Sequence, residues 1–294
     1  MPNLSISQLP SSSGLTGTEV LPIELSGVTL KTTVQDVANL TGIAVGTGAG
    51  STVRIGNNNT ASGTCSTISG GLYNAASGQT STIGGGRENT ASGIYSKIGG
   101  GLRNTASNSY STIGGGCFNT ASGFHSTIGG GIFNAASGDR STIGGGRINS
   151  ALCTHSTIGG GKSNTANGSY SIIGGGRNNI TSDNFSTIGG GQVNGASGDR
   201  STIAGGECNT AYGARSTIGG GRCNVASGSY SGILGGRDNS TNSCTCTMIV
   251  GACITADRAC TTFVNNLSIM NIPTSSTGLP SGAVWSDSGT LKIV

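Results

Sequence analysis

The chain contains few of the residues from which a wide globular core is built. Of its 294 residues, aromatic residues make up 4% and charged residues 9%, and the one tryptophan is Trp285. Large apolar side chains are therefore too scarce for a thick hydrophobic core. The low charge also argues against an expanded disordered chain, because such chains combine a high net charge with few apolar residues.

Several classes of function lack their signal in this sequence. The net charge of +4 includes no basic tract of the kind that follows a phosphate backbone, so we expect no nucleic-acid partner. No run of about 18 apolar residues occurs, and we expect no membrane insertion. The first residues, MPNLSISQLP, have neither a basic start nor an apolar centre and are not expected to form a signal peptide.

Glycine is abundant instead, with 56 residues, and much of it belongs to an internal repeat. From Asn59 to Asn239 the pattern N-T-A-S-G-x-x-S-T-I-G-G-G-x-x recurs every 15 residues without an insertion. We number its asparagine as position 1. Position 10 is then isoleucine in twelve successive copies, and positions 12 and 13 are glycine in all of these. Strict self-similarity of this kind indicates a repeat architecture.

The length of the repeat favours an all-β fold. Fifteen residues are too few for a helical hairpin, and each glycine inside a helix costs roughly 1 kcal/mol. Two short strands, at positions 1–4 and 8–10, fit instead, with positive-φ corners expected at the glycines of positions 5 and 11–13. Because side chains alternate across a strand, positions 8 and 10 share one face, as do positions 1 and 3. The sequence therefore predicts a β-solenoid (β-roll) of 15-residue coils.

The predicted interior is a ladder built from position 10, with one residue in each coil. Fourteen intervals between its members give a rod of about 67 Å at about 4.8 Å per coil. Its members are Val53, Ile68, Ile83, Ile98, Ile113, Ile128, Ile143, Ile158, Ile173, Ile188, Ile203, Ile218, Ile233, Met248 and Phe263.

A single stack of such coils is thin. Burial of one isoleucine and one alanine in each coil is opposed by a backbone entropy of about 1–2 kcal/mol for every ordered residue. We therefore expect several chains to associate side by side, with a monomeric solenoid as the alternative.

The repeats resemble the head repeats of YadA-like trimeric adhesins. The resemblance covers roughly residues 44–263 and depends on the motifs Ser-Thr-Ile-Gly and Asn-Thr-Ala-Ser-Gly. It implies coils that assemble into a homotrimer. The adhesin repeat is slightly shorter, and neither a coiled-coil stalk nor membrane-anchor strands are evident, so a bacterial surface autotransporter is not expected.

The N-terminal part resembles the attachment region of bacteriophage tail fibres and related virion proteins. The resemblance lies in SQLP…TGTEVLPIELSGVTLKTTVQDVA. Residues 20–40 predict a strand, a turn at Ser26-Gly27, a second strand and a short helix, for which Thr32 and Gln35 form a capping box. The resemblance implies that residues 1–43 dock onto other virion proteins.

The C-terminal tail, LPSGAVWSDSGTLKIV, resembles the end of phage fibres of the form G-x-x-W-x-D-x-G-T-L-K. It predicts a β-hairpin whose turn is Ser286-Asp287-Ser288-Gly289. The expected organisation is then an N-terminal attachment segment (1–43), a solenoid shaft (44–268) and a C-terminal hairpin cap (269–294).

Position 7 has an unusual composition, since ten of its twelve residues are aromatic, histidine or arginine. Planar side chains repeated in every coil can stack and stiffen the shaft, or line a contact between chains. They can also bind sugar rings, and both interpretations stay open. The candidate glycan or receptor contacts are Tyr95, Tyr110, His125, Arg140, His155, Tyr170, Phe185, Arg200, Arg215 and Tyr230.

No enzyme, cofactor or metal site is expected. His125 and His155 lie two coils apart, about 10 Å, which is too far for one zinc ion. The acidic residues are scattered and form no glycosidase pair, and the glycine strings lack the Lys-Ser/Thr of a phosphate-binding loop. The threonine columns at positions 2 and 9 are interrupted, which argues against an ice-binding face.

The nine cysteines occupy several positions of the repeat and are odd in number, which argues against a disulfide framework. We expect free thiols. One pair, Cys208 and Cys223, occupies position 15 of successive coils and lies within disulfide range.

Together these features predict a structural fibre or appendage protein of a phage virion, which projects from the particle and attaches it to a host surface. Positions 6–7 and 14–15 are its expected exposed turns. Its expected partners are further copies of itself, other virion proteins and a host-surface glycan. The alternative is a self-assembling extracellular filament or adhesin subunit of cellular origin.

Overall fold

Successive repeats stack in register and form a parallel β-solenoid. The computed structural model describes residues 20–25, 28–33, 43–54, 58–268, 272–287 and 290–294. Within these ranges the regular structure is all β and includes no helix, so the predicted fold class is confirmed. The helix expected after Thr32 falls mostly on residues 34–42, outside the described ranges, and Thr32 itself lies in a strand.

Two antiparallel pairs precede the coils. Strands β1 (Val20–Leu25) and β2 (Val28–Thr33) form the predicted hairpin. Strand β3 (Ile43–Val45) then pairs antiparallel with β4 (Thr52–Arg54). Because β4 pairs on its other side with the first regular coil, β3 covers the edge at which the stack would otherwise begin with open hydrogen-bonding groups.

Each regular coil contributes two strands of two residues, and all pairings between coils are parallel and in register. Odd-numbered strands form a 12-stranded sheet, and even-numbered strands form most of a 16-stranded sheet. In chain order they are β5 (Thr60–Ala61), β6 (Thr67–Ile68), β7 (Ala75–Ala76), β8 (Thr82–Ile83), β9 (Thr90–Ala91), β10 (Lys97–Ile98), β11 (Thr105–Ala106), β12 (Thr112–Ile113), β13 (Thr120–Ala121), β14 (Thr127–Ile128), β15 (Ala135–Ala136), β16 (Thr142–Ile143), β17 (Ser150–Ala151), β18 (Thr157–Ile158), β19 (Thr165–Ala166), β20 (Ile172–Ile173), β21 (Ile180–Thr181), β22 (Thr187–Ile188), β23 (Gly195–Ala196), β24 (Thr202–Ile203), β25 (Thr210–Ala211), β26 (Thr217–Ile218), β27 (Val225–Ala226) and β28 (Gly232–Ile233).

Four further strands follow. Strands β29 (Met248–Val250) and β30 (Thr262–Val264) extend the 16-stranded sheet. Strands β31 (Val284–Asp287) and β32 (Thr290–Ile293) form the predicted C-terminal hairpin. Ser286 and Asp287, expected in its turn, belong to β31 instead.

The interior contains four stacked columns of small or medium side chains. The position-10 isoleucines from Ile68 to Ile233 are at most 1% exposed, and so are the alanines of position 3. The asparagines of position 1 from Asn74 to Asn239 and the serines of position 8 are buried beside them. Val53 and Phe263 pack half-buried at the two ends. The alternation expected from the sequence is therefore correct.

One member of the predicted ladder is wrong. Ile233 pairs with Ile249, which is fully buried, whereas Met248 is 44% exposed. Phe263 then pairs with Ile249. The ladder thus advances by 16 residues (233 to 249) and next by 14 (249 to 263).

A compensated insertion explains this shift. The coil gains a residue at its first corner, where Asn242 and Ser243 both have positive φ, so that Gly228 lies against Cys244. The coil loses a residue at its next corner, so that Gly236 lies against Gly251 at the regular spacing of 15 residues. The frame on either side is unchanged, and the spacing alone therefore concealed the shift.

The coil has three sides rather than the expected two. A third ladder of single parallel bridges joins position 14 of successive coils, from Leu72–Arg87 to Arg222–Arg237. Position 14 was expected in a turn. This third ladder gives the short segment between the glycine corner and position 15 its own backbone pairing.

Glycine recurs at positions 5 and 13 for two different reasons. At position 13 the backbone is left-handed, as at Gly86 with a φ of 87°, and this matches the expectation. At positions 5 and 11 the φ lies outside the left-handed region, as at Gly78 and Gly84, and the expectation is wrong. A Cβ atom on Gly78 would instead lie 2.0 Å from the carbonyl oxygen of Gly93 on the next coil. This close approach favours glycine at position 5, although Asn108, Cys153 and Asp183 occupy it in three coils.

The buried asparagines of position 1 connect each coil to its neighbours. The Nδ2 group of Asn119 donates to the carbonyl oxygen of Gly115 in the preceding coil at 3.1 Å and to that of Gly131 in its own coil at 2.9 Å. Its Oδ1 atom accepts from the backbone N–H of Asn134 in the following coil at 3.0 Å. A buried amide with both ends paired is stabilising, whereas the removal of one partner leaves orphaned groups.

We predict that Asn119→Ala destabilises the solenoid by at least about 2 kcal/mol, because a buried N–H left unpaired alone costs about 1–3 kcal/mol. The measurement is the denaturant midpoint followed by circular dichroism. The control is Asn167→Ala, at an exposed asparagine of the same shaft, which should change stability by less than about 0.5 kcal/mol. Equal losses in the two variants would contradict a role for the buried column.

The serines of position 8 fall into two groups. The Oγ atom of Ser126 is buried and has no hydrogen-bond partner within the described residues. The Oγ atom of Ser156 donates to the carbonyl oxygen of Cys153 at 2.6 Å. An unpaired buried hydroxyl is a cost to folding, whereas a paired one is neutral or favourable.

We therefore expect Ser126→Ala and Ser156→Ala to act in opposite directions. Ser126→Ala should leave stability unchanged or raise it by up to about 1 kcal/mol, and Ser156→Ala should lower it by about 1 kcal/mol. Thermal melts of the two variants under identical conditions make the comparison. A loss of stability in Ser126→Ala would mean that its hydroxyl has a partner in solution.

Candidate functional site

The candidate contact residues of position 7 lie at the corner between the two sheets. Their backbone is left-handed although none is glycine, with a φ of 57° at Tyr95. As a result the N–H of Tyr95 donates backward, to the carbonyl oxygen of Gln79 in the preceding coil at 2.8 Å, whereas strand N–H groups donate forward. The chain then turns inward, and the N–H of Ser96 donates to the carbonyl oxygen of Gly93 at 3.1 Å.

This corner stacks the position-7 side chains outside the rod. The Tyr95 and Tyr110 rings lie 5.2 Å apart between centroids, and His125 follows Tyr110 at 4.5 Å with the ring planes 2° from parallel. Phe124, at position 6, meets the His125 ring edge-on at 4.3 Å.

A second stack begins two coils further on. His155 lies 4.6 Å from Tyr170, and Tyr170 lies 5.1 Å from Phe185. The Arg200 guanidinium covers the Phe185 ring at 5.0 Å.

The remaining candidates are Arg215, Tyr230 and Arg140. Arg215 covers the Tyr230 ring at 5.1 Å and donates a hydrogen bond to its hydroxyl. The structure therefore groups nine of the ten candidates into three stacks. Arg140, which separates the first stack from the second, makes no ring contact or ion pair among the described residues.

The energies of these stacks and of their corners nearly cancel. A left-handed residue other than glycine costs roughly 1–2 kcal/mol. An aromatic pair contributes about 0.5–1.5 kcal/mol beyond its buried area, and an exposed cation–π pair about 0.5–1 kcal/mol. Each stacked ring thus offsets most of the strain of its own corner. The position tolerates variation because the net effect of any one side chain is small.

Stacking also limits how the column can bind a ligand. The position-7 tyrosines stay substantially exposed, from 43% at Tyr95 to 57% at Tyr230. Inside each stack, however, both faces of a ring are covered by the neighbouring rings at about the coil spacing. A sugar can therefore reach the ring edges, hydroxyls and guanidinium groups, but its stacking on a ring face is restricted to the ends of the stacks.

A second left-handed column, at position 15, was not predicted from the sequence. Phe118 and Phe133 stack there at 4.8 Å, and the Arg103 guanidinium lies 5.5 Å from the Phe118 ring. Arg103 also pairs with Glu88, and this hydrogen bond holds the pKa of the Glu88 carboxyl below its usual value. The signal for this column was present, since position 15 varies directly before the invariant asparagine of position 1.

A run of cations at position 14 was also missed. Arg147, Lys162 and Arg177 occupy consecutive coils, are exposed, and take part in no ion pair among the described residues. By contrast, Arg222 and Arg237 in the same column lie near Glu207 and Asp238. The register of the third ladder, which the sequence did not show, brings the three cations together.

Other kinds of site have little support in the described part of the chain. A shallow open cleft of about 490 Å³ near the shifted coil is lined by Leu234, Val250, Asn265 and small residues, none of which titrates. The described ranges contain no cluster of three or more side chains able to hold a metal ion. No helix within them has the length and apolarity to cross a membrane.

Neither a protein-family model nor a curated protein matches this chain.

The left-handed corner predicts an unusual response to glycine. Thr80, at position 7, has a φ of 56° and a β-branched side chain without a stacking ring. Thr80→Gly should raise stability by about 0.5–1 kcal/mol. The substitution relieves about 1–2 kcal/mol of backbone strain, and the extra entropy of glycine in the unfolded chain offsets part of this gain. The control is Thr82→Gly in strand β8, which should destabilise. The denaturant midpoints of both variants measure this, and a loss of stability in Thr80→Gly would contradict strain at the corner.

Proposed function

We propose that this chain is a non-enzymatic structural fibre or appendage protein of a phage virion. The observation that carries the proposal is the unbroken, in-register stack of narrow coils, whose described interior consists of side chains no larger than isoleucine over most of its length. Such an interior favours a rod with a mechanical role. The resemblance of the two ends to phage fibres supports the virion as its location.

The proposed assembly is a homotrimer. The core of one chain is a single file of isoleucine and alanine, whereas several large apolar side chains lie outside, among them Ile172, Ile180 and Leu234 at 46%, 47% and 67% exposure. Contact between chains would bury part of this surface and offset the entropy of ordering the coils. The resemblance of the repeats to trimeric adhesin heads supports three chains.

In this proposal the N-terminal segment docks on other virion proteins, and the exposed corners meet the host surface. The position-7 stacks offer hydroxyl, imidazole and guanidinium groups at intervals of about one coil. These groups suit hydrogen bonding to a repetitive glycan. The alternative is an extracellular filament or adhesin subunit of cellular origin, which the regular stack of coils also supports.

Light scattering and negative-stain imaging test the assembly. We expect a particle of three times the chain mass of 28.7 kDa and a rod of about 67 Å, from fourteen intervals of about 4.8 Å. Open filaments that lengthen with concentration would favour the cellular alternative. A stable 28.7 kDa monomer would contradict the trimer.

Host attachment through position 7 is tested on an array of bacterial polysaccharides. Tyr110→Ser combined with Tyr170→Ser should weaken binding about tenfold or more, equivalent to about 1.4 kcal/mol. The matched control is Phe118→Ser combined with Phe133→Ser, which removes a stacked pair from position 15. Equal weakening by both variants would contradict a contact specific to position 7.

A further inference from the structure

Four of the nine cysteines form two pairs, and the members of each pair occupy one column on consecutive coils. Cys208 and Cys223 are neighbours at position 15, where each N–H donates to the position-14 carbonyl of the coil before. Cys246 and Cys260 are neighbours at position 7, where their N–H groups donate to Ser229 and Thr245 in the same backward pattern. The second pair is only 14 residues apart because of the shifted coil, and the regular 15-residue frame does not reveal it.

The backbone presents the two cysteines of each pair in the same way. All four are left-handed, with φ of 56° and 54° in the first pair and 53° in both members of the second. Successive coils lie about 4.8 Å apart, inside the Cα separation of about 4.4–6.8 Å that a disulfide spans. Side chains in these columns make contact across coils, as the ring centroids of Phe118 and Phe133 at 4.8 Å demonstrate.

In the first pair, the Cys208 thiol is affected by the neighbouring Cys223 thiol. Partial desolvation raises the pKa of the Cys208 thiol, and the neighbouring Cys223 thiol raises it further. Both side chains are partly exposed, so a small oxidant in solution can reach them.

We propose that Cys208–Cys223 and Cys246–Cys260 are redox sites that take a small-molecule disulfide as oxidant and become disulfide bonds between adjacent coils. One protein thiolate attacks the oxidant, glutathione disulfide for example, and displaces a glutathione thiolate to form a mixed disulfide. The second protein thiolate attacks the protein sulfur of that bond and displaces the second glutathione. Two protein thiols are oxidised, and one disulfide is reduced to two thiols.

The location of the two pairs indicates how the disulfide bonds would affect the stability of the shaft. All four cysteines lie in the last third of the shaft, where the regular repeat ends. Coils near the end of a solenoid lack a full set of neighbours and separate first. A covalent link between adjacent coils prevents that separation. This inference does not depend on the proposed fibre function.

Peptide mapping tests the pairing. The full-length chain is equilibrated with glutathione disulfide, quenched with an alkylating agent and digested with trypsin, which cuts between the partners at Arg215 or Arg222 and at Arg258. We expect two linked peptide pairs that separate on reduction. Cys65, Cys117 and Cys153 have no cysteine at the same position of a neighbouring coil and should stay alkylated as internal controls. Alkylation of all nine thiols, or cross-links that involve the control cysteines equally, would overturn the proposal.

A stability measurement separates a link between coils from incidental oxidation. The oxidised protein should have a higher denaturant midpoint than the reduced protein, and this difference should vanish in Cys208→Ser combined with Cys260→Ser. It should persist in Cys117→Ser combined with Cys153→Ser. The mapping is repeated in Cys244→Ser combined with Cys253→Ser, because Cys244 and Cys253 share a tryptic peptide with Cys246. A midpoint difference that survives loss of Cys208 and Cys260 would show that these pairs are not its source.

Discussion

The structure depends on hydrogen bonds that pass from each coil to the next. Strand N–H groups donate forward, the left-handed corners donate backward, and the position-1 asparagine amides connect to both sides. Every coil is therefore held at the interstrand spacing of about 4.8 Å. This spacing leaves little room for a Cβ atom at the glycines of position 5 and places equivalent side chains in direct contact.

That contact has different consequences inside and outside the rod. Inside, identical small residues fit above one another, so isoleucine, alanine, asparagine and serine recur with little change. Outside, a side chain is constrained only by the one above and the one below it. Aromatic rings, arginines and cysteines can therefore occupy the corner columns as short runs, and each run has its own chemistry. The binding and redox properties that we propose therefore belong to runs of residues along a column.

Much of the fold followed from the sequence because the repeat is nearly exact. The stacked isoleucines, the shared faces of positions 1 and 3 and of positions 8 and 10, and the strand pairing of both terminal hairpins are as predicted, apart from the turn residues of the second hairpin. The errors arose where residue identity is a poor guide to backbone shape. Glycine was expected to mark the left-handed corners, yet residues such as Tyr95 and Arg103 adopt that conformation, because the inter-coil hydrogen bonds and the stacked rings outweigh their local preference.

The sequence by itself determined the period, the buried columns and the absence of a wide core, because these depend on which residue types recur and how often. Only the tertiary structure decided the third side of the coil and which corner residues become neighbours. It also decided that Ile249, and not Met248, belongs to the buried ladder. Those features depend on the register between coils. A compensated insertion shifts this register locally while the spacing before and after it stays the same.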